Sequence, residues 1–227
     1  MLTIARRCVP FTPFEKDLAT ATVALVSAAG VYGPDQEPFS TVDPGDVSYR
    51  VIPSAVETGA LRIAHHHYDH SEADADPNIV FPLDTLRELV EEGCIAAVND
   101  RHYSYGFTTR LKELYEQTFP EIADRVERSK TKLVLLTAGC PETCHRTIAT
   151  LAREIEARGV PTLVITASPS ATEAVHPPRA MTFDGSEIGR VVGRAGDRPF
   201  HQKVVRAALE MFAHDTPPGK VVTKVIR

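Results

Sequence analysis

The segment from Lys132 to Arg158 constrains the fold more than any other, because it reads as strand, turn and helix in one short run. Lys132-Leu133-Val134-Leu135-Leu136-Thr137 is apolar and of strand length. Ala138-Gly139 interrupts it, and Cys140-Pro141-Glu142-Thr143-Cys144-His145-Arg146-Thr147 follows. Ile148, Leu151, Ala152 and Ile155 then recur at helical spacing, and Gly159 and Pro161 supply a stop. Pro141 suits the first helical position, where its missing N–H is not needed. The pattern therefore predicts Cys140 at the N-cap, at the carboxyl end of a strand.

The remaining elements fit around that unit. Strands are expected at Thr22–Ser27, Val47–Ile52, Leu61–His67, Ile95–Val98 and Thr162–Thr166, and helices from Leu83 to Val90, Phe107–Thr118, Ile122–Arg128 and His201–Ala213. Alternation of this kind predicts an α/β protein: three layers, a largely parallel sheet with helices on both faces. One domain over 1–227 is expected, with an N-terminal arm (1–20), a long loop (167–198) and a tail (216–227).

Charge and apolar content exclude some classes of partner. The formal net charge of −5 gives no general affinity for nucleic acid. No apolar run approaches the roughly 18 residues of a membrane span, and no secretory h-region follows Arg6 and Arg7. Four cysteines, two of them clustered, suit a reducing cytoplasm better than a disulfide scaffold.

Two clusters carry chemistry. A thiol at a helix N-terminus tends to ionise early, because the first-turn N–H groups favour negative charge. Cys144, one turn on, should have its Cα about 6 Å from that of Cys140, within reach of a disulfide. The pair can serve as nucleophile and resolving thiol, or simply fill a helix–sheet junction. The second cluster is His65-His66-His67-Tyr68-Asp69-His70. On a strand, His65, His67 and Asp69 would share a face. Read as His-x-His-x-Asp-His it is similar to the metal motif of the metallo-β-lactamase fold, and a metal-dependent hydrolase on His65, His67, Asp69 and His70 is the alternative reading. The sequence after His70 lacks that fold's small, Gly-containing turn, which favours an acid–base or substrate-binding role for His65, His67, Tyr68, Asp69 and His70. His145 could pair with a cysteine, and Arg179 could hold a substrate carboxylate. A cysteine-based racemase or decarboxylase is a further variant.

Several stretches together resemble one family. Val23–Val31, Asp46–Pro53, His65–Asp76, Val80–Leu86, Gly159–Thr162 and Pro177–Ala180 are similar to the selenoprotein B component of the glycine, sarcosine, betaine and D-proline reductases. The D-proline branch is closer in length, and the similarity runs from about Val23 to about Leu209. The resemblance implies a reductase in which a selenocysteine or cysteine attacks the carbon beside a carboxylate and expels nitrogen. By analogy a C–S or C–halogen bond would also serve. A second thiol then releases product, and an external dithiol or thioredoxin-like reductant restores the pair. Cys140 matches the nucleophile and Cys144 the resolving thiol, with cysteine in place of selenocysteine and three intervening residues where the family commonly has two. No tightly bound cofactor is expected. A small-molecule substrate is implied and a homo-oligomer expected. The family's proline and glycine reductases use a second, pyruvoyl-bearing subunit; a selenium-free relative acting alone stays open.

Overall fold

In the computed structural model, which describes residues 8–15, 17–214 and 216–226, the apolar runs form an eight-stranded sheet. Its strands are β1 (Thr22–Ala28), β3 (Tyr49–Pro53), β5 (Ala97–Val98), β6 (Arg101–Tyr105), β7 (Leu133–Ala138), β8 (Thr162–Ile165), β9 (Ala180–Phe183) and β10 (Val221–Lys224). A separate antiparallel pair joins β2 (Val31–Tyr32) to β4 (Arg62–Ile63). The strand order is β10-β9-β8-β7-β1-β6-β3, with β5 also on β1, and every pairing in the large sheet is parallel except β3 on β6.

Side-chain alternation sorts β7 onto two cores. Leu133 and Leu135 join the apolar cluster that also takes Leu83, Leu86 and Leu89 of helix α2 (Leu83–Glu91) and Val204, Val205, Ala208 and Leu209 of α6 (Arg198–Glu210). Val134, Leu136 and Ala138 face the other way. They meet Ile122, Ala123 and Val126 of α3 (Phe119–Arg128) and Ile148, Leu151, Ala152 and Ile155 of α4 (Thr143–Glu156). The three-layer α/β class holds. Two short helices, α1 (Ser71–Ala75) and α5 (Pro169–Glu173), cap loops at the carboxyl side. Among the described residues no helix is long and apolar enough to cross a membrane.

Four expectations need correction. Strand β6 was not anticipated, because its sequence Arg-His-Tyr-Ser-Tyr is polar; its His102 and Ser104 are nevertheless buried. The long loop 167–198 contains α5 and β9, and the tail 216–227 contains β10. These strands are only four residues long, too short for a clear period. Leu61–His67 is strand only at Arg62–Ile63, so the histidines do not alternate across a sheet. Within the arm 1–20, a single helical turn spans Leu18–Thr20, and residues 1–7 and 16 lie outside the described residues, as do 215 and 227.

Topology marks one place on the sheet. After β6 the chain crosses β1 and resumes on its other flank as β7, so the strand order reverses between β1 and β7. In open α/β sheets the crevice outside the carboxyl ends at such a reversal is the usual ligand site. Those ends are Ala28–Gly30 and Ala138–Cys140.

Candidate active site

The turn after β7 brings two sulfurs together. Helix α4 begins at Thr143 with Glu142 as its N-cap residue, so Cys140 and Pro141 lie in the turn before it, two residues earlier than the sequence predicts. Glu142 makes no side-chain cap bond; it pairs with Arg146 at 3.1 Å on the surface. The capping is done by sulfur instead. Cys140 Sγ accepts the N–H of Cys144 at 3.2 Å, a donor that no helix carbonyl can reach. The electrostatic consequence expected of an N-cap thiol is therefore present one step removed.

The two Sγ atoms are 2.8 Å apart and both thiols are free. With both protonated, Cys140 donates to Cys144. When one proton leaves, the charge settles on Cys140, and the remaining proton on Cys144 turns toward it. That hydrogen bond, then the nearby His65 and the bond from the Cys144 N–H, outweigh burial and bring the Cys140 thiol down to about 5. Cys144 moves the other way, pushed up by its burial and by the neighbouring thiolate.

The histidine segment lies over this pair because the end of β1 pins it there. Gly30, at φ +74°, takes the N–H of Ala64 at 2.9 Å; a Cβ on it would stand 2.4 Å from the Ala64 carbonyl oxygen. Next along the chain, His65 reaches Cys144 Sγ with Nε2 at 3.2 Å. Its Nδ1 accepts the backbone N–H of His67 at 3.1 Å. Tyr68 packs on His65 with ring centroids 4.8 Å apart and donates its hydroxyl to the Ala29 carbonyl at 3.0 Å. Its ring lies on Gly139, where a Cβ would come within 2.4 Å of Cε1. Burial keeps the Tyr68 hydroxyl protonated well past its ordinary range.

An outer layer covers the sulfurs. Cys140 is 2% exposed and Cys144 1%. His67 stacks on Phe107 with centroids 3.6 Å apart and on His66 at 3.8 Å. Asp43 Oδ1 stands 3.9 Å from His66 Nε2 and 4.0 Å from His67 Nε2. Partial burial, then the neighbouring His66, hold the His67 imidazole below its ordinary range, against the pull of Cys140 and Asp43. His66 and His67 form the outer side of this cover, each side chain 35% exposed, while on the inner side both sulfurs belong to the apolar cluster shared with α3 and α4.

The structure separates the other candidates from the sulfurs. Asp69 accepts the Ser71 N–H at 3.0 Å and is held low by that bond, while His70 pairs with Asp74 at 2.7 Å. Both act on α1. The four residues of the metal-hydrolase reading therefore do not converge. Among the described residues, metal-type donor atoms gather within 4.8 Å of one another in two other groups, His65–Cys140–Cys144 and Asp43–His66–His67. His145 is fully buried, 2.9 Å from Thr166 Oγ1 through Nδ1, and burial brings it down to about 3. Arg179 lies at the amino end of β9, away from the carboxyl ends that hold the sulfurs, and pairs there with buried Glu156, the last residue of α4, at 2.7 Å. Sequence reasoning missed Asp43 and Phe107, which sit on distant loops without a motif. It also missed the contact of Gly139 with Tyr68, which a glycine directly before Cys140 could have signalled.

A helix-covered, mainly parallel sheet with a thiol pair and an imidazole at its switch point defines a thiol-bearing α/β protein. Residues 3–139 match the family Glycine/sarcosine/betaine reductase selenoprotein B, and the chain belongs to that family. The D-proline reductase subunit gamma of Acetoanaerobium sticklandii is 33% identical over 213 residues, 93% of this chain and 86% of that protein. The betaine reductase complex component B subunit beta of Peptoclostridium acidaminophilum is 31% identical over 64% of this chain. The glycine reductase complex component B subunit gamma of Symbiobacterium thermophilum is 32% identical over 67%. The chain spans about a third of the length of these last two. No solved structure matches. The relatives are components of reductases, and this chain is an oxidoreductase component of the same kind.

Proposed function

We propose that the chain is the thiol-bearing subunit of a reductase that cleaves the C–N bond beside a carboxylate, with D-proline as the first substrate to test. The Cys140 thiolate attacks the α-carbon, a C–S bond forms, and the nitrogen leaves with the C–N electron pair and takes a proton. Cys144, once deprotonated, attacks Cys140 Sγ. The C–S electrons return to carbon, which is protonated, and a Cys140–Cys144 disulfide remains. The two electrons come from the two thiols, and an external dithiol restores them.

One observation supports this above the rest: Cys140 Sγ accepts the Cys144 N–H while standing 2.8 Å from the Cys144 sulfur at the switch point. His67, beside Cys140 and partly exposed, is placed to pass a proton to the departing nitrogen. A second subunit that holds the amine as an imine would make nitrogen a better leaving group. The relative named as a D-proline reductase subunit gamma supports such a partner.

The test is mass spectrometry of the reduced chain, alone and with its co-expressed partner, after D-proline and a dithiol. Formation of 5-aminopentanoate is expected, with an adduct on Cys140 trapped in Cys144→Ser. Full turnover by Cys140→Ser would overturn the assignment.

A further inference from the structure

We infer that His65 acts as a hydrogen-bond donor locked in one tautomer, serving the sulfur pair as a positioning residue and neither as its general base nor as a metal ligand. The observation is the pair of bonds on its ring. Nδ1 accepts the peptide N–H of His67 at 3.1 Å, and that N–H can only donate. A neutral imidazole has one N–H, so it must be on Nε2, which points at Cys144 Sγ from 3.2 Å. The peptide bond of His67 is thus the orienting group that a carboxylate or carbonyl more often supplies, with the opposite sense.

Three consequences follow from one hydrogen's position. Nε2 is already protonated and Nδ1 is occupied, so the ring cannot take the proton that leaves either thiol. Ligation of a cation through Nε2 would strip the ring of its last proton, although the donor atoms of His65, Cys140 and Cys144 lie within 4.8 Å of one another. The remaining use is donation. While Cys144 gives its proton to the Cys140 thiolate, Nε2–H supports Cys144 from behind, and bonds in such a chain strengthen one another. Once Cys140 is alkylated its charge is gone, and the same N–H faces Cys144 directly as that sulfur ionises. The other titratable groups around the ring are His66, His67 and Tyr68. Of these, the side chains of His66 and His67 reach solvent, each 35% exposed, and His67 is the one beside Cys140. The inference rests on the thiol reading of Cys140 given above.

Long-range proton–nitrogen spectra of the reduced, nitrogen-15-labelled full chain should show a protonated Nε2 and a bare Nδ1 at neutral pH. A protonated Nδ1, or an imidazolium there, would overturn the inference. A second measurement compares pH profiles of Cys140 alkylation, read by peptide mass. His65→Gln keeps an amide donor near the Nε2 position, and its midpoint should stay within about 0.3 of the parent. His65→Ala should raise the midpoint by about one pH unit, a tenfold loss of thiolate on the steep part of the profile. Equal shifts in the two variants would fit a base and count against a donor. Neither measurement requires turnover. A chain that forms no adduct with D-proline but keeps the tautomer and the Gln–Ala contrast loses the reductase reading and retains this one.

Discussion

At the scale of single residues, the site depends on where one proton and one methyl group are not. A thiol that ionises near pH 5 is almost wholly thiolate at neutrality. Alkylation of Cys140 should therefore rise through about pH 5 and be flat above roughly pH 6.5. Because a lowered pKa favours the charged form, the sign is unambiguous: on acidification the Cys140 thiolate persists until about pH 5. Peptide-resolved alkylation across pH 4–9 checks this, and a Cys140 rate still climbing above pH 8 would contradict it. Gly139 supplies the missing methyl. A Cβ there would meet the Tyr68 ring at 2.4 Å, and the ring is held from its far side by the Ala29 carbonyl. Gly139→Ala should displace Tyr68 from His65, cost about 1–3 kcal/mol, and slow Cys140 alkylation at neutral pH. Urea unfolding and the alkylation assay read the two effects separately.

At the scale of elements, polar side chains hold the sheet together where backbone pairing lapses. Strand β1 pairs with β5 at Thr22 and Val23 and with β6 at Val26 and Ser27, which leaves Leu25 at the jog between them. Its N–H is taken by His102 Nδ1 at 2.9 Å. Removing that acceptor in His102→Leu strands a buried donor and should cost about 1–3 kcal/mol at pH 7. The cost should shrink in acid. Burial lowers His102 to about 3, against an ordinary value of 6.5, so the folded state prefers the neutral ring. This group's contribution is complete above about pH 6.5 and drains away as pH falls toward 3. Urea midpoints of the parent and of His102→Leu should therefore converge between pH 7 and pH 5, and a constant gap would refute the account. The same strand explains how far the sequence could be read. Apolar runs such as β1 and β7 were legible because both faces are buried, and α4 was legible from its 3.6-residue period. Strand β6 was not, since its buried His102 and Ser104 earn their place through partners on β1 and at Val31. Of the candidate site, Cys140, Cys144 and the histidine run were visible as motifs. Which histidine meets sulfur was not, because His65 and His67 share one loop whose path has no period, and His145 is turned by α4 toward Thr166.

On the scale of the whole molecule, the two ends of the sheet are given different tasks. The carboxyl ends of β1 and β7 hold the thiols. The opposite end holds the buried pair of Glu156 and Arg179 at 2.7 Å. Arg179 also reaches the Thr12 carbonyl at 2.7 Å and lies 3.8 Å over the Phe11 ring, while the Glu156 carboxylate takes the N–H of Thr162 at 2.7 Å and that of Thr12. This network straps the N-terminal arm to the bottom of the sheet, a structural use for an arginine whose position after Pro177-Pro178 suggested a carboxylate site. In the sheet register Arg179 is level with Leu135, five residues before Cys140, or about 16 Å along the strands. The two roles predict opposite phenotypes. Arg179→Met leaves a buried carboxylate without its cation and should destabilise the fold by about 3–5 kcal/mol. Pairing it with Glu156→Gln, which removes the orphaned charge, should restore a large part of that loss. In neither variant should the pH profile of Cys140 alkylation move, because the sulfur's own partners are untouched. Urea unfolding of the single and double variants measures the first claim, and alkylation of the folded fraction the second. A variant that unfolds like the parent but has a raised KM for a carboxylate substrate would return Arg179 to the binding site and break the division between the two ends.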